Sequence, residues 1–364
     1  MVKQISLSKI KTDCRHFRGD IPCKPHKKFG VHCFDNKGKV CQHYDKTSEK
    51  ILIIKLGAIG DVIRTTPILH KLKKVKPKAE IWWLTYSPEI VPSSVDVVLP
   101  FTVQSITTLQ AVHFDTIYNF DKDKEASALC SILSARIKKG FVLKNGKCAP
   151  INKDSEHKFI TGLFDDINKA NTKNYLEEIF KIAGFKFKGE EYILENGSDE
   201  FNWKLPKNKK IIGLNTGCGG RWTSRLWPEK YWIELAQKLK KAGYVPLLLG
   251  GEQEHQKNLK IAQQSGATYL GNFPLKQFIS EVNQCNLVVT GVTMAMHVTI
   301  GLKKKIVLFN NIFNKNEFEL YGLGKILEPE FDCNCYFSPT CKNNCMQYLK
   351  VETVFDTIQN LLPR

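Results

Sequence analysis

The residues of this 364-residue chain with chemical potential fall into four groups: an aspartate behind two glycines, arginines in a glycine-rich loop, a histidine closing an apolar turn, and two sets of four cysteines. Asp61 follows Gly57 and Gly60 in ILIIKLGAIGDVIRTTPIL. A carboxylate there can serve as a general base at the mouth of a cleft, or it can cap the helix that follows. The turn has neither the G-x-G-x-x-G spacing of a dinucleotide loop nor the Gly-Lys-Ser/Thr of a Walker loop. A second loop, NTGCGGRWTSRLWPEKYW, holds Thr216, Gly217, Gly219 and Gly220, with Arg221 and Arg225 on the side that enters a helix. Free amides, a helix dipole and a guanidinium suit a diphosphate. The plainer alternative is a surface loop packed down by Trp222 and Trp227. Glu252 follows the Gly250–Gly251 turn, where an acidic side chain can bond a ribose or favour a helix N-terminus. His297, in TGVTMAMHVTIG, is either a packed core residue or a ligand group at a strand end.

Cys14, Cys23, Cys33 and Cys41 are spaced C-x₈-C-x₉-C-x₇-C, with His16, His26, His32 and His43 among them. Four thiolates on one zinc would supply folding energy that this weakly apolar segment lacks, the alternative being reduced thiols on a strap laid against the next domain. Cys333, Cys335, Cys341 and Cys345 are spaced C-x-C-x₅-C-x₃-C within thirteen residues. That segment is too short and polar to hold itself by packing, and C-x-C pairs close poorly into disulfide rings. A structural tetrathiolate site for zinc, or an iron–sulfur cluster, is expected there, the alternative being a thiol-rich loop with no metal.

The elements that must position these groups alternate. Apolar runs at 51–54, 81–84, 95–99, 116–120 and 139–142 read as strands, with helices predicted over 62–75, 125–133 and 175–183. The pattern restarts at 210 with strands at 211–215, 245–249, 287–290 and 306–309 and helices over 228–241, from 251 to about 264, 275–284, 294–301 and 354–362. Strand–helix alternation implies parallel sheets covered on both faces. The expected fold class is therefore α/β, with two doubly wound Rossmann-like domains and a cleft between them. The expected organisation is a Cys/His-rich extension over 1–48, an N-terminal domain over 49–190, a polar linker over 191–209 and a C-terminal domain over 210–364 that contains the cysteine-rich 333–345.

The formal charge is 54 − 36 = +18, which suits an anionic partner such as a phosphorylated substrate, an acidic membrane surface or nucleic acid. Lys71, Lys73, Lys74, Lys76 and Lys78 form a local basic run. No RNA-recognition signature or spaced zinc finger is present, so no nucleic-acid partner is expected. No window has the length of a membrane span and the N-terminus has no signal-peptide core, which points to a cytoplasmic protein.

Taken together these motifs resemble glycosyltransferase family nine, the heptosyltransferases, over roughly residues 50 to 310. The opening ILIIKLGAIGDVIRTTPIL is similar to that family's N-terminal signature, and the resemblance implies that Asp61 is the catalytic base, in an acceptor-side loop with Gly57 and Gly60. The LNTG…RLWPEKYW stretch resembles the family's diphosphate loop, which places Thr216, Gly217 and the phosphate-contacting Arg225 on the donor. Glu252 after LLLGG matches the nucleoside-holding acid. VTMAMH resembles the family's Asp-Thr-Gly-x-x-His box at Thr293 and His297, with Val292 in place of its aspartate and Met294 in place of its glycine. Asn310 and Asn311 stand where the family has a Phe-Gly turn. The resemblance implies a GT-B fold and inverting transfer, without a catalytic cofactor, from a nucleotide-sugar donor such as ADP-heptose. The implied acceptor is an anionic lipopolysaccharide-core glycolipid or other cell-envelope glycan, reached by peripheral contact with the inner face of the cytoplasmic membrane. The cysteine-rich ends lie outside it and suggest a distinct branch. The substitution at Val292 and the zinc-like ends keep one alternative of another class, a non-catalytic, metal-stapled nucleotide- or RNA-binding protein on a transferase scaffold.

Overall fold

The structure is a computed structural model that describes residues 6–35, 37–196 and 201–363. The first five residues and most of the NGSDE stretch in the predicted linker lie outside these. Among the described residues twelve strands form two six-stranded sheets. The first sheet holds β1 (Glu49–Ile54), β2 (Ala79–Thr85), β3 (Val97–Pro100), β4 (Phe114–Asn119), β5 (Ala135–Lys144) and β6 (Lys147–Pro150) in the order 3-2-1-4-5-6. The second holds β7 (Ile211–Asn215), β8 (Val245–Leu249), β9 (Thr268–Tyr269), β10 (Leu287–Gly291), β11 (Lys305–Phe309) and β12 (Gly324–Leu327) in the order 12-11-10-7-8-9. Every pair is parallel except β5 with β6, a hairpin through Asn145 and Gly146. The α/β class with two doubly wound sheets is thus as expected. Strands such as Ile51–Ile54 are fully buried, as an apolar run without alternation requires when helices cover both faces.

The chain divides into two compact units that do not follow its order. One contains Met1–Lys55, Leu69–Thr85 and Ser93–Ile151; the other contains Leu56–Ile68, Tyr86–Pro92 and Asn152–Arg364. In the first, the N-terminal strap is held by Arg15, which pairs with Asp45 and Asp96 at 2.8 Å each and donates to the Ala79 carbonyl. The order reverses between β1 and β4, and there Lys55 and Asp121 form a buried ion pair. In the second, Trp227, Trp232 and Phe309 pack edge-on and tilted, with Trp227 and Trp232 centroids 4.9 Å apart, and anchor the helix Glu229–Lys241 to the sheet.

Three local expectations are corrected. The predicted helix over 62–75 is two, Ile59–Ile63 and Ile68–Val75. Pro67 has no N–H to continue the ladder, and the Thr65 and Thr66 hydroxyls donate to the Asp61 and Ile63 carbonyls instead. Asp61 is not the cap of the first helix: Ala58 is, and the Asp61 amide donates to its carbonyl at 2.8 Å. The segment read as a polar linker is more than a spacer. Its Tyr192 is buried, the Ile193 amide donates to the Thr66 hydroxyl at 2.9 Å, and its Trp203 indole donates to Ser280. The short helices Val103–Gln110, Lys153–Thr161 and Asp165–Ala170 and the edge strands β6, β9 and β12 were not expected.

Candidate active site

Asp61 sits in the first turn of the helix Ile59–Ile63, which follows β1, with its carboxylate 2.7 Å from the Arg64 guanidinium, one helical turn on. Arg64 lies on the face of Tyr175, 3.6 Å from the ring centroid. Burial opposes the charge on Arg64, and the Asp61 carboxylate and neighbouring tyrosines reverse that effect, so its pKa moves up. The Tyr175 hydroxyl lies 3.0 Å from that of Thr65. A carboxylate clamped by a buried cation has one orientation, which a residue acting as a base requires. Its side chain is one-third exposed, so a hydroxyl can reach it.

Gly60 has a reason to be glycine that is not ligand approach. A Cβ there would stand 2.4 Å from the His297 ring. The two helices Ile59–Ile63 and Met294–Gly301 meet through this contact. His297 is buried and stacks on Tyr192, its Nδ1 3.4 Å from the Tyr192 hydroxyl. Burial, then the Arg64 charge, push its pKa down to about 3, so the ring is neutral at physiological pH. Tyr192 in turn packs edge-on against Tyr321, and burial raises its pKa. Gly57 faces Tyr86, whose ring would lie 3.4 Å from an added Cβ.

The second sheet reverses its order between β7 and β10, the place where open α/β sheets bind ligands. Of the residues expected on a donor, Thr216, Arg225 and Thr293 lie on the chain around this point. Asn215 at the end of β7 donates to Thr290 at 3.0 Å and Thr293 at 3.4 Å across the crevice. Thr293 is the N-cap of Met294–Gly301, accepting from the Ala295 amide. The Arg225 guanidinium donates to the main-chain carbonyls of Val292 and, at 3.1 Å, of Cys218. Among the described residues it has no carboxylate partner, its Nε is buried without an acceptor, and burial lowers its pKa. A cation half-withdrawn from water and met only by carbonyl dipoles favours an anion. Glu252 is exposed at the start of a 3₁₀ turn over Glu252–Glu254.

The sequence reading missed the residues that stand nearest the loop. Glu254 reaches Gly217 so closely that a Cβ there would lie 2.0 Å from its carboxylate. Lys257 donates to the Thr216 carbonyl at 2.8 Å, and Asn258 accepts from the Thr216 hydroxyl at 2.6 Å. Burial lowers the Lys257 pKa. Glu254 lies in the same 3₁₀ turn as Glu252, and Lys257 and Asn258 lie in the first turn of the helix His255–Ser265 that follows, whose polar face was the signal. Both tryptophans of the loop are packed, Trp227 in the core and Trp222 edge-on to Phe313 and Phe337 at 5.8 and 5.5 Å. They hold the loop on either side of Arg225, so packing and anion binding are not exclusive.

Cys333, Cys335, Cys341 and Cys345 gather with all four sulfurs within 4.8 Å of one another. The Cys333–Cys341 and Cys335–Cys345 separations are 3.5 and 3.6 Å. A tetrahedral ion with bonds of about 2.3 Å has sulfur–sulfur edges of roughly 3.8 Å, so the donor set fits a metal. The four thiols are unbridged. Burial pushes Cys335 and Cys345 up; at Cys341 burial is outweighed by hydrogen bonds from the Cys345 and Asn343 amides and the Cys333 and Cys345 thiols, which bring it to about 7. The four N-terminal cysteines do not do the same: among the described residues the C-terminal quartet is the one set of metal-ligating side chains that converges. Cys14, Cys23, Cys33 and Cys41 are half-buried free thiols on a strap held by the Arg15 pairs. Spacings of seven to nine residues leave the strap's path to hydrogen bonds and ion pairs rather than to the thiols.

Two Rossmann-like, doubly wound sheets are the architecture of GT-B glycosyltransferases. The model of glycosyltransferase family 9 (heptosyltransferase) matches residues 103–311, more than half of the chain, and the chain belongs to that family. The Asp61 stretch lies outside the matched residues. No curated protein matches the sequence. The fold is similar to that of a family 9 glycosyl transferase from Veillonella parvula DSM 2008, with a TM-score of 0.67, 17% identity, and 87% of this chain and 97% of that one covered. It is also similar to the E. coli ADP-heptose lps heptosyltransferase II, with a TM-score of 0.65, 17% identity, and coverage of 86% and 98%. A third likeness is TibC of enterotoxigenic E. coli H10407, described as a dodecameric iron-containing heptosyltransferase and solved with ADP-D-β-D-heptose. There the TM-score is 0.56, the identity 11% and the coverage 86% and 76%. Among the described residues no helix is long and apolar enough to cross a membrane.

Proposed function

We propose that this glycosyltransferase inverts the anomeric centre of a nucleoside-diphosphate sugar, with ADP-heptose the favoured donor and a lipopolysaccharide-core or other anionic cell-envelope glycan the acceptor. The carrying observation is the packing of Gly60 on His297. It joins the helix that carries Asp61 to the helix capped by Thr293, whose neighbour Val292 holds Arg225 by its carbonyl. A base and an anion-binding cation thus belong to one compact unit. In the reaction, the Asp61 carboxylate takes the proton of an acceptor hydroxyl as that oxygen attacks the anomeric carbon. The bond from that carbon to the diphosphate breaks on the opposite side and the nucleoside diphosphate leaves with the electron pair. Arg225, Lys257 and the amides of the Gly217–Gly220 loop receive the developing charge. Glu252 would face the nucleoside and Thr293 the donor. His297, neutral and packed, would shape the site rather than exchange protons within it.

The cysteine quartet would hold zinc or iron. Four thiolates complete a tetrahedral shell and leave no position for substrate, so the ion's contribution is structural. The charge of +18 suits an anionic acceptor and a peripheral encounter with the cytoplasmic membrane face.

Asp61→Asn tests this reading. Single-turnover transfer should fall by about 10²–10⁴-fold, the usual share of a general base, while ADP affinity stays within twofold. Near wild-type transfer would remove the base assignment. Absence of both transfer and donor hydrolysis in the wild-type protein, across a panel of sugar nucleotides, would favour the non-catalytic scaffold.

A further inference from the structure

The loop that carries Arg225 and the loop that carries the cysteines are tied together at several points. Arg225 ends a single 3₁₀ turn, Thr223–Arg225. The Ser224 amide donates to the Pro339 carbonyl at 3.0 Å, and its hydroxyl to the Ser338 carbonyl at 2.6 Å. Ser338 and Pro339 lie between Cys335 and Cys341, within the knuckle those thiols close. From the other side, the Asn311 side-chain amide donates both to the Ser224 carbonyl at 2.8 Å and to the Cys345 sulfur at 3.3 Å. The Arg225 guanidinium lies 5.9 Å from the Trp222 ring centroid and 5.4 Å from that of Phe313. Both rings pack on the small apolar cluster of Ile312, Cys335 and Cys345. Ser224 is buried, so its amide and hydroxyl cannot turn to water if the knuckle moves away.

We infer that the cysteine knuckle positions the donor arginine: closing the four thiols on a metal ion fixes the Thr223–Arg225 turn through Asn311 and Ser224, so that metal and nucleoside diphosphate bind cooperatively. Asn311 and Ser224 are positioning residues in this scheme, acting through Cys345, Ser338 and the Arg225 turn. The inference rests on the reading of Arg225 as a diphosphate ligand. The physical reason is ordering. The knuckle is short and mostly polar, its packing is confined to one small cluster around Ile312, Cys335 and Cys345, and the ion supplies the further free energy that fixes its carbonyls. Once Ser338 and Pro339 are fixed, the turn is fixed with them, and Arg225 reaches its anion without a further loss of conformational freedom. The coupling is reciprocal by linkage.

The test is calorimetry of ADP and of adenosine with protein carrying one equivalent of Zn²⁺ and with chelator-stripped protein, together with Zn²⁺ affinity measured with and without saturating ADP. Stripping should weaken ADP about tenfold, within the roughly 5–150-fold usual for coupled sites, and leave adenosine nearly unchanged. ADP should tighten Zn²⁺ by the same factor. The variant Asn311→Ala, Ser224→Ala should keep one equivalent of Zn²⁺ but bring both factors close to one. If stripped protein fails to fold, the same variant in its Zn²⁺-loaded form carries the test, and its ADP affinity should fall several-fold while adenosine binding holds. Equal ADP affinity in loaded and stripped folded protein, or in wild-type and variant loaded protein, overturns the coupling. Unchanged ADP affinity in Arg225→Ala would instead overturn the donor reading on which it rests, and the two failures are separate.

Discussion

Glu281 lies on the helix Leu275–Asn283, 1% exposed, and among the described residues neither of its carboxylate oxygens has a hydrogen-bond partner. Burial raises its pKa from 4.5 to about 8. The sign follows from proton counting. Between these values the folded protein holds a proton that the unfolded chain has lost, so stability is full below pH 4.5 and falls as pH rises toward 8. At about 1.36 kcal/mol per pH unit the loss is roughly 3.4 kcal/mol at pH 7 and about 5 kcal/mol once the group has ionised in both states. Glu281→Gln keeps the shape and removes the ionisation. Urea midpoints for both proteins from pH 4.5 to 9 give a difference curve in which every other titrating group cancels. The variant should match the wild type near pH 4.5 and exceed it by about 3 kcal/mol at pH 7 and 4–5 kcal/mol at pH 8.5. His297 acts in the opposite direction, its depressed pKa withdrawing stability as pH falls from 6.5 toward 3, but equally in both proteins. Parallel curves for variant and wild type would refute the argument and mean that Glu281 reaches a partner or water.

Gly60→Ala should destabilise by about 1–3 kcal/mol, because a Cβ 2.4 Å from the His297 ring cannot be accommodated without moving one of the two helices. His297→Ala should recover part of that loss in the double variant, and strictly additive effects in denaturant midpoints would contradict the contact. Cys341→Ser with Cys345→Ser should lose about one equivalent of bound metal by elemental analysis and melt earlier. Retained metal or unchanged melting in that variant would show that these sulfurs are not its ligands.

Several features were readable along the chain because they are local. The buried strands at 51–54, 211–215 and 245–249 announce themselves as unbroken apolar runs, and helices such as Tyr175–Ala183 and Met294–Gly301 lie where period and caps put them. The cysteine knuckle is compact enough in sequence that its spacing alone implied convergence, and the four sulfurs do converge. The N-terminal quartet had the composition without the closeness, and there composition misled. The helix predicted over 62–75 runs across Pro67, which splits it in two.

What surrounds the candidate site was not readable, because it is assembled from residues about a hundred positions apart. Tyr175 meets Thr65, Tyr192 meets His297, and Ser224 meets Ser338 across separations of 110, 105 and 114 residues. Hydrophobic period reports which face of an element is buried, not which distant side chain it is buried against. A glycine at position 60 reads as backbone freedom until His297 is seen to fill the space its missing Cβ leaves. Asn311 reads as a departure from the family turn until its amide is found bridging the Arg225 turn and a cysteine sulfur. Element type follows from near neighbours in the chain, as does the Asp61–Arg64 pair, whereas the setting of His297 and Arg225 follows from neighbours that the fold alone brings within a few ångströms.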